Sequence, residues 1–112
     1  MVKSGYIPDR GDLVWLNFNP QSGHEQRGRR LALVLSHKAY NARIGLGIFC
    51  PITSKEKAYP FEVKITGKKI QGCVLSDQVK SLDWKVRETE FIEKLDQALL
   101  QEVIDKIKVI IE

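Results

Sequence analysis

The segment from residue 23 to residue 30 holds the densest group of side chains that could do chemistry. Within eight residues it carries a histidine, a carboxylate and three arginines: His24, Glu25, Arg27, Arg29 and Arg30. A guanidinium presents a planar fork of donors that matches a phosphate better than an ammonium does. Imidazole and carboxylate groups accept protons near neutral pH once their surroundings tune them. The segment therefore indicates a site for a phosphate-bearing ligand, with a solvated charged loop as the alternative.

A second group of polar side chains follows the apolar run that ends at residue 52. Thr53 and Ser54 come first, and Lys55 and Lys57 follow. A hydroxyl can donate a hydrogen bond to a phosphate oxygen, and a lysine offers a positive charge to a neighbouring phosphate. The alternative for Thr53 is a β-preferring residue that completes the end of a strand, and for the lysines it is solubility.

Short apolar runs predict the strands that position these groups. Residues 31–35 are apolar throughout, as expected of a strand buried on both faces, so the sheet should hold the backbone of Arg30. Pro51 favours the end of a strand or a sheet edge over a central position. Several short strands between turn signals predict a small barrel or sandwich. The predicted strands are residues 13–18, 31–35, 45–53, 61–66, 72–75 and 90–94.

Two helices are predicted. Ser36 could cap a short helical turn that runs to Tyr40. From residue 95 to residue 111, apolar side chains recur at steps of three and four, which predicts an amphipathic helix that packs on the barrel or partly against a second copy. Asp96 is a suitable cap for this helix, and Glu102 with Lys106 forms an i,i+4 pair on its outer side.

Length and composition predict one globular domain over residues 1–112. The chain is 43% hydrophobic and 29% charged, which excludes a disordered tail or a fibre. No apolar run approaches the roughly 18 residues that cross a bilayer, and the first residues lack the apolar stretch of a secretory signal. We therefore expect a cytoplasmic protein that does not engage a membrane.

Cysteine and histidine usage argues against a disulfide framework and against a metal site. Cys50 and Cys73 each lie in an apolar run, where a buried free thiol is the ordinary case. His24 and His37 have no histidine or cysteine nearby at ligand spacing. We expect no metal and no other cofactor.

Positive charge is concentrated in the first two-thirds of the chain. Residues 1–30 carry a net charge of +2, residues 31–72 carry +5 and residues 73–112 carry −3, within a total of +4. A polyanion such as a nucleic acid would be attracted to the basic part. The charge alone is weak evidence, because many basic domains bind no polyanion.

The order and spacing of seven stretches are similar to those of the MazF/PemK family of bacterial toxins, the toxin halves of toxin–antitoxin pairs. The resemblance extends from about residue 6 to the end. No single stretch is specific, but their joint order is. The stretches are residues 8–15 (PDRGDLVW), 23–26 (GHEQ) with Gly28 and Arg30, 33–36 (LVLS), 51–54 (PITS), 59–63 (YPFEV), 72–75 (GCVL) and 77–81 (DQVKS).

The resemblance implies a mainly β fold with a C-terminal helix, a small SH3-like β-barrel of the PemK/CcdB toxin type, which forms a homodimer. It also implies a metal-independent endoribonuclease that cuts single-stranded RNA, often mRNA, at short sequences and so inhibits translation and growth. The expected partners are the RNA substrate and a cognate acidic antitoxin that covers the basic groove. The expected products are a 2′,3′-cyclic phosphate and a free 5′-hydroxyl.

The resemblance also assigns site residues. The family's essential arginine and threonine fall on Arg30 and Thr53, and its loop glutamate falls on Glu25. In the PemK branch, a histidine matching His24 and an aspartate matching Asp77 are used as well. As RNA-binding residues we predict Arg27, Arg29, Ser54, Lys55, Lys57, Asp77 and Gln78.

Two positions depart from the family pattern. The PemK branch has an arginine two residues before its aspartate, and this chain has Leu75 there, so the MazF catalytic set fits better. Leu31 stands where the family usually has proline.

Bases of single-stranded RNA stack on aromatic side chains, but for Trp15 and Phe61 we favour core packing.

Two other functions share this barrel. A CcdB-type gyrase poison acts through its dimer end and C-terminal helix and needs no catalytic arginine. That mode uses tryptophan and glycine in the last residues, and the end of this chain, residues 106–112, contains neither. A barrel that binds nucleic acid without cutting it is the second alternative.

Overall fold

The computed structural model describes residues 5–18 and 28–112. Short, strongly apolar segments form a single antiparallel sheet, and the amphipathic C-terminal segment forms the long helix, which confirms a mainly β fold with a C-terminal helix. The strands are β1 (Asp12–Asn17), β2 (Arg29–Val34), β3 (Gly47–Thr53), β4 (Glu62–Thr66), β5 (Gln71–Leu75), β6 (Lys80–Leu82) and β7 (Glu90–Lys94), and the helices are α1 (Lys38–Ile44) and α2 (Gln97–Ile111).

The strands follow the order β4-β5-β3-β2-β1-β7 across the sheet. The central strand β3 changes partner along its length, because its first half pairs with β6 and its last two residues pair with β5. The register between β1 and β7 slips by one residue, from Leu13–Glu93 to Val14–Phe91. Such a bulge bends the strand and increases its twist, which helps to curl the sheet.

The curled sheet buries apolar side chains on both faces, as the continuous apolar run of β2 predicts. On one face, Leu33 belongs to a cluster that includes Leu100 and Val103 of α2. On the other face, Ala32 and Val34 belong to a cluster closed by residues that follow β6, among them Trp84. Successive residues of β2 alternate between these two clusters, as strand geometry requires.

The prediction for Pro51 was wrong, because this residue lies inside the central strand β3 opposite Ala32. In the β2–β3 ladder, the backbone N–H of Leu35 donates to the carbonyl of Ile48 at 2.8 Å, which marks that pair as hydrogen-bonded. Hydrogen-bonded and non-bonded pairs alternate in an antiparallel ladder, so the Ala32–Pro51 pair is non-bonded. The position where Pro51 lacks an N–H therefore points away from β2, at the place where β3 changes partner from β6 to β5.

The first helix differs from the prediction at both ends. It starts at Lys38 after His37 and ends at Ile44, so it is longer than expected and Ser36 is not its cap. The Ser36 hydroxyl instead donates to the side chain of Asn41 at 2.6 Å and accepts the backbone N–H of Ile48 at 2.8 Å. Ser36 therefore ties α1 to β3.

The second helix begins as predicted. Its cap, Asp96, accepts a hydrogen bond from the backbone N–H of Ala98 at 3.1 Å. Among the described residues, no ion pair or hydrogen bond joins Lys106 to Glu102, the partner that the sequence predicted. Its ammonium donates to the carbonyl of Pro60 at 2.8 Å, which ties α2 to the connection between β3 and β4.

The two ends of the strand order meet through the side chain of Glu93. Glu93 lies on β7, and its carboxylate accepts the backbone N–H groups of Lys68, Lys69 and Ile70 at 3.0, 2.9 and 3.1 Å. These three residues form the turn between β4 and β5, at the opposite end of the order. The sheet is thus curled far enough to bring its outermost strands together.

Three predictions about buried and exposed side chains can be compared with the structure. Cys50 and Cys73 are buried free thiols, as predicted. Trp15 is 39% exposed, so the prediction that it packs in the core was wrong, and Phe61 is half-buried. Neither helix is long and apolar enough to span a bilayer, within the residues that the structure describes.

Candidate active site

Arg30 and Thr53 lie side by side on neighbouring strands. The β2–β3 ladder ends with Leu31 opposite Ile52, and Arg30 and Thr53 are the next residues along these two strands, so continuing the register sets them opposite each other. Because the Leu31–Ile52 pair is hydrogen-bonded in the alternation described above, the next pair is non-bonded. In non-bonded pairs the Cα atoms are about 4.5 Å apart and the side chains approach most closely. The sheet therefore aims both side chains from the same face.

The polar groups of this pair are available to a ligand. The Arg30 side chain is exposed, and no other described residue binds it through a hydrogen bond or an ion pair. The Thr53 hydroxyl oxygen accepts the backbone N–H of Lys55 at 3.2 Å. A hydroxyl that accepts through its oxygen still has its own proton to donate. Together the two residues offer a positive charge and an oriented donor to one anion.

Arg30 and Thr53 belong to a row of residues that crosses five strands. On β1, the buried Leu16 stands opposite Arg30. On the other side, Thr53 stands opposite Cys73 of β5, and Cys73 stands opposite Lys64 of β4. Residues directly opposite each other share a face of the sheet. This row, Leu16–Arg30–Thr53–Cys73–Lys64, therefore places one basic side chain on each side of Thr53.

Gly72 allows the backbone of Thr53 to take its position. A Cβ at Gly72 would lie 2.8 Å from the carbonyl oxygen of Thr53 and 2.8 Å from a methyl group of Ile52. Both contacts are far shorter than side chains tolerate, and one of them is to backbone. Any larger residue at position 72 would displace the end of β3, and with it the Thr53 hydroxyl.

The connection between β3 and β4 carries Ser54, Lys55 and Lys57, all exposed. The backbone N–H of Lys57 donates to both oxygens of Glu62, at 3.2 and 3.0 Å. The hydroxyl of Tyr59 donates to the carboxylate of Asp77. This connection, with its hydroxyl and two lysines, is thereby held at the end of β3 that carries Thr53.

Asp77 and Gln78 lie in the connection between β5 and β6 and are both exposed. The hydrogen bond to Asp77 raises the pKa of the Tyr59 hydroxyl, since the carboxylate favours the protonated phenol. The backbone N–H of Gln78 donates to the carbonyl of Leu75 at 3.1 Å. Asp77 is thus brought to the predicted site, with its carboxylate engaged by a neighbouring tyrosine.

Arg29 is turned away from Arg30. Its guanidinium bonds to Glu90 at 2.8 Å, to the side chain of Asn17 at 3.2 Å and to the carbonyl of Glu88 at 3.3 Å. Adjacent residues of a strand point to opposite faces, so this position follows from the strand itself. Its use as an RNA contact stays a prediction.

His24, Glu25 and Arg27 lie outside the described residues. The residues on either side of that segment are well anchored. The backbone N–H of Phe18 donates to the carbonyl of Gly28 at 2.9 Å, and the Arg87 guanidinium donates to the carbonyls of Asn17 and Phe18 at 3.0 and 2.6 Å.

Neither thiol is suited to act as a nucleophile. Burial, followed by the charge of Asp77, raises the pKa of Cys50 to about 12. The pKa of Cys73 is also raised, by burial first and then by the carboxylates of Glu62 and Glu56, while Lys64 opposes them. Both groups therefore stay neutral near pH 7. Among residues 5–18 and 28–112, no three His, Cys, Asp or Glu side chains are grouped so as to hold a metal ion.

Sequence reasoning gave no role to Lys64 and Gly72, two residues that the fold sets near Thr53. The alternation of residues 61–66 predicts a strand with one wet face, and Lys64 falls on that face, but the pattern does not say which strands lie beside it. Gly72 lies in one of the seven matching stretches, residues 72–75, but that match gives it no role. Both were hidden for the same reason, because their relation to Thr53 depends on the register of β3, β5 and β4.

Comparison with known proteins identifies a matching family and several close relatives. The family described as "PemK-like, MazF-like toxin of type II toxin-antitoxin system" matches residues 9–111. The endoribonuclease toxin MazF of Escherichia coli K12 is 48% identical over 84 residues, which cover 75% of this chain and 76% of that protein. The endoribonuclease toxin ChpB of the same strain is 31% identical, with complete coverage of both chains.

Solved structures share the same fold. The crystal structure of MazF from Deinococcus radiodurans has a TM-score of 0.85 and 50% sequence identity, and the match covers 95% of this chain and 97% of that one. A MazE–MazF complex from the same organism has a TM-score of 0.84 and 44% identity, covering 95% of this chain and 96% of that one.

Proposed function

The chain belongs to the PemK-like, MazF-like family of toxins of type II toxin–antitoxin systems and is an endoribonuclease toxin, and from this premise we propose that it cleaves single-stranded RNA without a metal at the Arg30–Thr53 pair. The single observation that supports this chemistry most strongly is that pair itself, an exposed guanidinium opposite a hydroxyl at the end of a rigid strand. The family match favours this function over a CcdB-type gyrase poison.

The proposed reaction uses the substrate's own 2′-hydroxyl as the nucleophile. A base removes the 2′ proton, the 2′ oxygen forms a bond to phosphorus, and the bond from phosphorus to the 5′ oxygen breaks. The products are a 2′,3′-cyclic phosphate and a 5′ oxygen, which takes up a proton as it leaves. All atoms come from the RNA, so the protein has to move two protons and stabilise charge.

Each of these tasks suits a residue type in the site. Arg30 provides fixed positive charge where negative charge develops on the phosphoryl oxygens, which is usually the largest contribution to catalysis. Thr53 donates to a non-bridging oxygen and orients it. We propose Glu25 as the base, with His24 as the alternative, because both residue types accept protons near neutral pH once their surroundings tune them. An arginine stays charged in proteins and is a poor proton donor, so we assign protonation of the leaving oxygen to His24.

The remaining basic and polar residues would hold the RNA strand. We propose phosphate contacts from Lys55 and Lys57, which lie directly after Thr53, and a hydroxyl contact from Ser54. The other predicted contacts are Arg27, Arg29, Asp77 and Gln78. We also propose that the protein acts in the cytoplasm, where it would meet mRNA.

The expected protein partners are an acidic antitoxin and a second copy of the chain. Solved MazE–MazF complexes have the same fold as this chain at 42–44% identity, which supports an antitoxin partner. Because the first two-thirds of the chain carry the positive charge, we propose that acidic side chains of the antitoxin cover the substrate-binding face and that the toxin is a homodimer.

The function is tested by incubating the purified protein with a defined RNA in EDTA. Wild type should cut, leaving cyclic phosphate and 5′-hydroxyl ends, and Arg30→Ala should lower the rate constant about 10²- to 10³-fold, the effect of losing one charge-stabilising donor. Arg43→Ala is the matched control. It removes the same charge from an exposed residue of α1. This helix follows the C-terminal end of β2, whereas Arg30 lies near the N-terminal end of that strand.

Three results would count against the proposal: no cleavage by wild type, undiminished cleavage by Arg30→Ala, or loss of cleavage in EDTA alone. Binding of RNA without cutting would favour the second alternative, a nucleic-acid-binding barrel.

A further inference from the structure

Lys64 is an exposed basic residue in the same cross-strand row as Arg30 and Thr53. The register places Cys73 between Thr53 and Lys64, so the backbones of β3 and β4 at this row are two strand spacings apart. With about 4.8 Å between neighbouring strands, the backbone at Lys64 lies about 10 Å from that at Thr53. A lysine side chain can span much of this distance, so its ammonium can reach an anion beside the Arg30–Thr53 pair.

On these grounds we propose that Lys64 forms a second phosphate subsite, which binds a phosphodiester of the same RNA strand next to the one that Arg30 and Thr53 hold. The inference rests on the proposed endoribonuclease function. It gives the bound strand a direction across the sheet, from β2 and β3 over Cys73 toward β4.

The chemistry at Lys64 suits a ligand that can be released and exchanged. Its ammonium lies 3.6 Å from a carboxylate oxygen of Glu56, and the two side chains are 71% and 57% exposed. Exposed pairs of this kind contribute little free energy, so an RNA phosphate can displace Glu56. Among the described residues, Glu62 also acts on this part of the row, and its carboxylate accepts the backbone N–H of Lys57.

Cys73 is a buried, uncharged residue between the two positions of the row that would bind phosphate. Its side chain is 3% exposed, between the exposed Lys64 and the partly exposed Thr53. It carries no charge near neutral pH, because burial raises the pKa of its thiol. Cys73 itself therefore adds no charge that would compete with the phosphates of a strand lying between Lys64 and Thr53.

The test replaces Lys64 by methionine, which keeps an unbranched side chain of similar length and removes the charge. Cleavage of a defined RNA in EDTA should show a KM about fivefold higher with kcat unchanged, because the residue binds the strand and does not touch the reacting atoms. One lost phosphate contact on a single strand should also make the slope of log affinity against log salt shallower by about 0.7. This slope is measured by fluorescence anisotropy in the Arg30→Ala background, where cleavage is too slow to disturb the binding measurement.

Two further variants make the result specific. Lys68→Met removes the same charge from an exposed residue of the same hairpin, in the turn beyond Thr66 and away from the row, and it should leave KM and the salt slope at wild-type values. Lys64→Arg keeps the charge and should restore most of the affinity.

The inference fails if Lys64→Met has the KM and salt slope of wild type, if Lys68→Met matches its effect, or if Lys64→Arg is as weak as Lys64→Met. These results are distinct from failure of the proposed function, in which the wild-type protein itself does not cut RNA.

Discussion

Replacing Glu93 by glutamine should destabilise the whole sheet, because this side chain joins its two ends. The carboxylate accepts three backbone N–H groups from the turn between β4 and β5. Glutamine has nearly the same shape, but only one of its two terminal groups is an oxygen that can accept a hydrogen bond. The other is an NH₂ group, which would face backbone N–H donors and cannot accept from them. A Cβ at Gly67 would overlap this carboxylate, so the turn has little freedom to rearrange around the new side chain.

The size of the effect follows from which of the three donors can turn to water. Lys68 and Lys69 are exposed, whereas Ile70 is half-buried, so one N–H is poorly placed to find a new partner. Hydrogen bonds to charged groups contribute about 1.5–3 kcal/mol each when buried, and the two exposed bonds contribute much less. We expect a loss of about 1–2 kcal/mol. For a chain of this length, that corresponds to a fall in Tm of about 4–8 °C.

The effect should depend on pH in a definite direction. Hydrogen bonds from the backbone, that from Lys69 first, lower the pKa of Glu93 below its ordinary value of 4.5. A carboxyl with a lowered pKa stabilises the fold at every pH above its unfolded pKa, and this contribution is lost as the pH falls through the folded value. The difference between wild type and Glu93→Gln should therefore be complete at pH 7 and shrink below about pH 4.

Thermal unfolding followed by circular dichroism at pH 7 and at pH 3 measures both features. Glu102→Gln is the matched control, since it removes the same charge from an exposed position on α2 and should change Tm by less than about 1 °C, the expectation for an exposed site. The reasoning is refuted if Glu93→Gln unfolds at the wild-type temperature at pH 7, or if its deficit is as large at pH 3 as at pH 7.

Two further predictions concern the neighbours of Thr53 and the buried thiols. Gly72→Ala should lower kcat for RNA cleavage about ten- to hundredfold with KM less affected, because it displaces the Thr53 hydroxyl from its position. Wild-type kcat in a variant that circular dichroism shows to be folded would contradict this role. Cys50 and Cys73 should react with a thiol reagent at pH 8 only as fast as the protein unfolds, since both are buried and the pKa of Cys50 is about 12. Reaction within seconds in the native protein would contradict the burial.

Most strands and the long helix could be predicted from the sequence, because their apolar patterns are local. The strand at residues 90–94 matches β7 at both ends, and Asp96 caps α2. The strand β6 (Lys80–Leu82) was missed, since three residues carry no usable alternation. The position of Pro51 was predicted wrongly because the rule that proline avoids central strands assumes that every backbone N–H of such a strand donates to a neighbour. In β3 no such bond is needed at Pro51, where the strand changes partner from β6 to β5.

The residues of the candidate site could likewise be predicted from the sequence only in part. Arg30 and Thr53 could be proposed from residue types and from the family resemblance, and the structure places them on neighbouring strands, next to the Leu31–Ile52 pair. Lys64 lies eleven residues beyond Thr53 in sequence, and only the pairing of β4 with β5 and of β5 with β3 places it in the same row. Tyr59 lies in one of the matching stretches, but its hydrogen bond to Asp77 joins two connections that are remote along the chain.

The sequence by itself determined the kinds of element, their order and the chemical groups available for the reaction, because hydrophobic period, caps and residue types are written along the chain. Tertiary structure alone decided which groups meet. Strand register, the slip between β1 and β7 and the curl that brings Glu93 to the turn at residues 68–70 all arise from packing between distant segments. A one-residue change of register would turn Arg30 to the opposite face of the sheet, and no local pattern around Arg30 specifies that register.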